Sequence, residues 1–301
     1  VSRYWPLLLL LASVWGASYL FIKVAVEGGF EPAPLMCARA AIAAAILFGY
    51  LVRTMGRKRA VGELRGSSRQ WLLLGLIGNA VPFWLVAWGE THVDSGIAAV
   101  AQSTVPLFTV LLGLRFLPHE PLTRGRLLGL VLGLLGVAVL AGGHPGGGWW
   151  AVAGTLAVVL SSIAYACGGV IGQRSVRGTP GPVLATGAML GAALSLLPLA
   201  AVQAPTRVPD TDALLSLLAL AVLGTALAQL VLYRLLNLFG ARRMSLVTYL
   251  MPGFALVYGA LLLDEPVTAP VLAGLALILS GVALGSGTIR TRRAAAAEIA
   301  P

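Results

Sequence analysis

Apolar residues fall in long runs along this chain, and polar ones gather in short clusters between the runs. Windows bounded by charge, Gly and Pro predict helices over 5–26, 34–52, 71–88, 97–116 and 125–141, then 149–171, 183–202, 213–233, 244–263 and 269–287. Each run holds about 17–23 residues, enough for an α-helix to cross a hydrocarbon core roughly 30 Å thick. The expected fold is all-α and polytopic, with ten transmembrane helices. The first run starts behind Arg3 and mimics a signal peptide, but it continues for about 20 residues without a small-residue cleavage pattern, so it is read as helix one.

Composition sharpens this picture. Of 301 residues, 58% are apolar and 11% charged, with a mean hydropathy of +0.90. Ten spans of about 20 residues leave roughly 100 for nine loops and two tails, too few for a soluble catalytic domain in any loop. A net charge of +10 raises nucleic acid as a partner, but here the bases punctuate apolar runs, which is the membrane pattern, and no nucleic-acid partner is expected. With both termini in the cytoplasm, 18 of the 21 Lys and Arg lie inside, including the cluster Arg53, Arg57, Lys58, Arg59, Arg65 and Arg69. Only Lys23, Arg39 and Arg207 lie outside. Eight acids fall outside (Glu27, Glu31, Glu90, Asp94, Asp210, Asp212, Asp264, Glu265) and three inside (Glu63, Glu120, Glu298). The positive-inside rule thus sets the orientation of a multi-pass protein of the bacterial inner membrane. Cys37 and Cys167 lie in apolar stretches without CxxC spacing, and His92, His119 and His144 fall in separate loops. No disulfide, metal site or cofactor is expected.

The chain also repeats itself. Pro106-Leu-Phe-Thr-Val-Leu-Leu-Gly, through Glu120-Pro-Leu-Thr, to Leu128-Gly129 and Gly136-Val-Ala matches Pro252-Gly-Phe-Ala-Leu-Val-Tyr-Gly, through Glu265-Pro-Val-Thr, to Ala273-Gly274 and Gly281-Val-Ala. The offset is 146 at the prolines and 145 from the glutamates onward. Two five-helix halves follow, 1–145 and 146–301, divided near Pro145. Because five is odd, the halves are inverted relative to each other. Such repeats build secondary transporters that hold substrate near mid-membrane between the halves and alternate access by rocking.

Trp15-Gly-Ala-Ser-Tyr-Leu-Phe-Ile-Lys23 in helix one, Arg39-Ala-Ala-Ile-Ala-Ala in helix two and Pro106-Leu-Phe-Thr leading to Glu120 form a recognisable series. So do Gly240-Ala, Tyr249-Leu-Met-Pro252 and Asp264-Glu265-Pro266 in the second half. The chain resembles the EamA branch of the drug/metabolite transporter superfamily over nearly its whole length. That resemblance implies export of amino acids and related metabolites, with helices five and ten peripheral and the others around a central cavity. The spacing of Gly129 and Gly133, and of Gly281 and Gly285, suits close helix contact at the periphery.

Candidate substrate-binding residues are the mid-span polar and aromatic ones: Trp15, Ser18, Asn79, Trp84, Gln102, Tyr165, Gln229 and Tyr249. Ser103, Thr104, Ser161, Ser162 and Thr248 add neutral donors and acceptors. Trp15 with Tyr19, and Trp84 with Trp88, sit four apart as possible pocket walls, and Tyr165 matches Trp15 in the repeat. Trp5, Trp71, Trp149 and Trp150 read instead as interfacial anchors. Lys23, Arg39 and Glu90 are charge-pair or gating candidates. Either the two bases contact an anion, or Lys23 pairs with Glu27 and Arg39 with Glu90. Pro82, Pro106, Pro198 and Pro252 interrupt spans, and the repeat partners Pro106 and Pro252 suggest a matched pair of broken helices, as a hinge or a static kink. No Asp or Glu falls in the middle third of any span, so no deep carboxylate relay is visible, and transport is expected to run downhill without an imposed proton gradient.

The reading is a carrier of small amphipathic molecules in the lipid bilayer, as monomer or homodimer. A polytopic membrane enzyme would need clustered acids or histidines at one rim, for which the Asp264-Glu265 pair is weak material. A passive channel would need a pore-lining charged signature.

Overall fold

The computed structural model describes residues 4–116, 123–142, 148–175, 179–203, 208–244 and 246–285. Arg3, His119, Glu120, His144, Pro145, Arg207, Glu298 and the residues past Gly285 lie outside them. All secondary structure among the described residues is helical.

Helices α1 (Tyr4–Glu27) and α2 (Pro32–Met55) have 24 residues each. Pro32 opens α2 in its first turn, where a missing N–H leaves no helical bond broken. Where the hydropathy pattern predicts only a basic loop, α3 (Arg57–Gly66) forms a short polar helix with Ala60 buried. The third span is a composite of α4 (Ser68–Gly75), a π-helical turn (Leu76–Ala80) and α5 (Val81–Glu90). The fourth is broken into α6 (Ser95–Gln102) and α7 (Val105–Phe116), followed by α8 (Arg124–Gly142). The second half supplies α9 (Gly148–Ser175) and α10 (Gly181–Val202), then α11 (Thr211–Ala221), a second π-helical turn (Val222–Leu227) and α12 (Ala228–Met244). It ends with α13 (Val247–Leu262) and α14 (Ala269–Gly285). Eight helical stretches are long and apolar enough to cross a membrane, and α13 and α14 are apolar but shorter.

Helix contacts come in matched pairs. The most extensive joins α8 to α14, and the next joins α2 to α10. The packing of α1 on α13 is mirrored by α9 on α6 and α7, and that of α1 on α11 and α12 by α9 on α5. The two π-helical turns lie 146 residues apart, the offset of the proline pair. Each has the same local cause. A widened turn frees a backbone carbonyl, and a side chain five residues on takes it: Asn79 Nδ2 donates to Leu74 O at 3.1 Å, and Thr225 Oγ1 to Leu220 O at 2.9 Å. Gly78 in the first turn lies against Gly168 of α9, and Gly224 in the second lies against Ser18 of α1. Ser18 and Gly168 are 150 residues apart, the spacing of Trp15 and Tyr165.

One rim of the bundle gathers the acids. Asp210 N donates to Gly28 O, Ala33 N to Gln203 Oε1, and the His92 ring stacks on Trp150. Asp264, with φ of +54°, turns the chain out of α13 so that Glu265 lies across the start of α6. There Glu265 accepts from Ser95 N (2.7 Å), Ser95 Oγ (2.8 Å) and Gly96 N (3.0 Å). Gly259 has no side chain to occupy the space this carboxylate fills.

The sides of the bundle are apolar and exposed, with Leu127, Leu128, Leu134 and Leu135 on α8 facing outward. Inward, a methyl group on Gly281 would collide with the backbone of Gly129 and Gly133, so α8 and α14 meet backbone to backbone. Trp5, Trp149 and Trp150 are exposed, but Trp71 is a correction to the anchor reading. It is buried against Gly187 and Gly191 of α10, and its indole N–H donates to Leu64 O at 2.8 Å.

Candidate functional site

A cavity of about 320 Å³ lies among α1, α2, both π-helical turns, α5, α6, the start of α7, α9, α12 and α13. Helical periodicity sets its wall. Trp15, Ser18, Tyr19 and Ile22 follow the i, i+3, i+4, i+7 stripe of α1, and Asn79, Phe83 and Val86 the i, i+4, i+7 stripe through the first π turn into α5. Tyr165 enters from α9, Gln102 from the end of α6, Gln229 from α12, and Thr248 and Met251 from α13.

Arg39 is the cation on this wall, 7% exposed. Its Nε donates to Thr225 Oγ1 at 2.8 Å, Nη1 faces the weak acceptor Met36 Sδ at 3.6 Å, and its guanidinium carbon lies 4.0 Å from the Phe83 ring centroid. Thr225 therefore has two roles: its hydroxyl oxygen holds the arginine while its proton closes the π turn. Gln102 Oε1 and Val158 O both lie within reach of the one Ser161 hydroxyl proton, at 2.6 and 2.7 Å, and Gln102 Nε2 is buried without a partner.

The proline of the fourth span shapes the same region. Pro106 has no N–H for the carbonyl of Gln102, which lies 3.5 Å from a Ser162 hydroxyl that is also 3.3 Å from Val158 O, and the span breaks at Ser103 and Thr104. Pro252 is the corresponding residue of α13, yet that helix runs continuously through it. The matched pair of broken helices is thus corrected to one broken helix and one continuous one. Pro252 is the sixth residue of α13, so only an N-terminal carbonyl, that of Thr248, loses its bond.

Trp15, Ser18, Asn79, Gln102, Tyr165, Gln229 and Arg39 meet on the cavity wall. Trp84 and Tyr249 do not, each one position off the stripe through Phe83 and Thr248. Trp84 is partly buried against the core with its Nε1 unbonded, and Trp88 packs on His92 at the acidic rim, so the Trp84–Trp88 wall is not formed. Lys23 makes the expected pair with Glu27 (3.2 Å) and also donates to Glu90 O (3.0 Å) and Val93 O (3.1 Å). The Arg39–Glu90 pair is not formed. Glu90 is fully buried one turn beyond Val86, both carboxyl oxygens lack a hydrogen-bond partner, and Arg39 is held by Thr225 and Phe83 instead. Phe83 and Thr225 were missing from the sequence candidates. Thr225 is the repeat partner of Asn79, so the 146-residue offset carried the signal for it.

The sequence pattern of the EamA-like transporter family matches residues 3–142 and again 152–287. The chain belongs to the EamA-like transporter family. It is 28% identical over 280 residues to an uncharacterized transporter of Archaeoglobus fulgidus, covering 93% of this chain and 97% of the relative. A probable amino-acid metabolite efflux pump of Salmonella typhimurium is 26% identical over 312 residues, covering 96% of each. The inner membrane transporter YedA of Escherichia coli K12 is 28% identical over 285 residues, covering 90% of this chain and 86% of YedA. A solved crystal structure shares the fold, with a TM-score of 0.64 and 19% identity over 93% of this chain and 98% of that one. Family and relatives alike point to a membrane transporter rather than an enzyme. The wall just described presents aromatic faces, neutral amides and hydroxyls, and one guanidinium.

Proposed function

We propose that this EamA-like transporter is a secondary carrier of the bacterial inner membrane that exports small amphipathic metabolites, foremost amino acids with apolar or aromatic side chains. The carrying observation is the cavity, built from matched elements of both halves: Asn79 with Thr225 and Gln102 with Thr248 at the 146-residue offset of the π-helical turns, and Trp15 with Tyr165 at 150. Ten spans in two inverted five-helix repeats, 1–145 and 146–301, place both termini in the cytoplasm and the acidic rim outside. Substrate sits between the halves, and rocking of one against the other exposes it to each side in turn. The names of the efflux-pump relatives support the substrate class and direction.

The test is uptake into proteoliposomes of a labelled panel of amino acids, nucleosides, sugars and cationic drugs. Saturable uptake of apolar or aromatic amino acids, with counterflow and without an imposed proton gradient, is the expected result. Unsaturable flux without counterflow would indicate a channel. Strict dependence on a proton gradient would overturn the downhill mechanism and direct attention to the buried Glu90.

A further inference from the structure

The cavity carries an imbalance between donors and acceptors. Arg39 is its charged wall residue, and no ion pair to Arg39 forms among the described residues. A guanidinium has five N–H donors. Of these, one goes to Thr225 and one to a thioether, so donors on the terminal nitrogens remain without a strong acceptor. On the same wall, Gln102 is 5% exposed; its Oε1 lies 2.6 Å from Ser161 Oγ, whose one proton is shared with Val158 O at 2.7 Å, and its Nε2 has no partner. A buried cation and a buried amide donor without acceptors are costly in a largely apolar cavity, unless an incoming group accepts from both.

We propose that Arg39 and Gln102 form a carboxylate subsite, and that the passenger is an apolar, ring-bearing monocarboxylate whose amino group, where it has one, is dispensable. A carboxylate brings two acceptor oxygens and the compensating charge, and the planar guanidinium suits it. Trp15, Phe83 and Tyr165 supply faces for the ring. The wall holds no Asp or Glu, so an ammonium group meets only neutral acceptors and gains no ion pair. Glu90 lies off this wall, and its carboxyl bonds to no group on it. This inference rests on the carrier reading and names the chemical group that the carrier requires.

The experiment compares 3-phenylpropionate, phenylalanine and phenethylamine, which share a ring and differ in charged groups. Binding to the purified protein in nanodiscs and uptake into proteoliposomes are measured separately. The two acids should bind within a few-fold of each other and compete for one site, with phenethylamine at least tenfold weaker. Arg39→Gln should weaken both acids tenfold or more and leave the amine unchanged, and Arg39→Lys should recover part of the loss. Gln102→Leu should weaken the acids several-fold, and it provides the readout if Arg39→Gln does not fold. Equal binding of amine and acids, failure of the acids to bind, or unaltered acid binding in a folded Arg39→Gln protein would overturn the subsite. The two readings fail separately. Acid binding without movement across the bilayer would sink the carrier and leave the subsite standing. Saturable uptake of phenethylamine in preference to the acids would do the reverse.

Discussion

Among single residues, the wall separates aromatic pairs that look equivalent as sequence. Trp15 and Trp84 are both mid-span tryptophans, but only Trp15 lines the cavity. Trp15→Ala should weaken passenger affinity several-fold, as expected from losing aromatic contact worth about 0.5–1.5 kcal/mol beyond area burial. Trp84→Ala should lower thermal stability and leave affinity near the parent value. Transport KM and melting temperature of the purified variants check both. Thr225→Val is a sharper case, because it preserves shape while removing the acceptor for Arg39 Nε and the donor for Leu220 O together. Leaving buried groups unpaired costs about 1–3 kcal/mol each, so a lower melting temperature and loss of transport should coincide. Much of this wall was legible, since a polar residue in an apolar run stands out, as Asn79, Gln102 and Gln229 do. Phe83 did not stand out, because an aromatic residue in a membrane span is ordinary. The neighbours Trp84 and Tyr249 were misassigned because each lies one position off the lining stripe, a difference that hydropathy does not register.

The helices themselves and the break beside Pro106 were legible in the sequence, but the π-helical turns were not. No run of apolar residues reports a π-helical turn. It shows only when Asn79 and Thr225 are seen bonding the carbonyls of Leu74 and Leu220, and the sequence offers just a polar residue at matched positions. Conversely, matched prolines suggested matched breaks, yet α13 runs on through Pro252 with the carbonyl of Thr248 left unbonded by it. The glycine spacing of α8 and α14 was a sound guide to their contact. Gly281→Leu should therefore push the α8–α14 pair apart, because the nearest atoms are backbone of Gly129 and Gly133 and cannot yield. Gly253→Ala is the contrast: nothing lies within 4 Å of the added methyl group, and the change should be neutral or stabilising by up to about 1 kcal/mol through helix propensity. Thermal unfolding of the two variants in detergent should differ in direction. A Gly281→Leu protein as stable as the parent would mean that the α8–α14 contact is not a close backbone packing.

For the molecule as a whole, the question is what ties the two halves together at the acidic rim. Glu265, between α13 and α14 of the second half, binds the start of α6 in the first through three hydrogen bonds, two from backbone N–H groups and one from a hydroxyl. A carboxylate at a helix start meets unpaired N–H groups and the positive end of the helix dipole, and hydrogen bonds to a charged group contribute about 1.5–3 kcal/mol each. Any motion that parts α13 from α6 at this rim must break them, so in the proposed carrier they would favour the form closed at this rim. Glu265→Gln retains the size but loses the charge, and places an NH₂ where one of two accepting oxygens was. The reporter is an Ile22→Cys substitution on the cavity wall, in a background with Cys37→Ala and Cys167→Ala, labelled by a membrane-impermeant thiol reagent added to the acidic-rim face. With Glu265→Gln, labelling should accelerate several-fold, and saturating passenger should slow it again. In the proposed orientation that face is external, and reporter fusions check this independently: one after Arg59 should read cytoplasmic and one between Val208 and Asp210 external. Labelling at the parent rate in a folded, correctly oriented Glu265→Gln protein would show that the rim opens without parting α6 from α13, with Glu265 serving only as a helix cap.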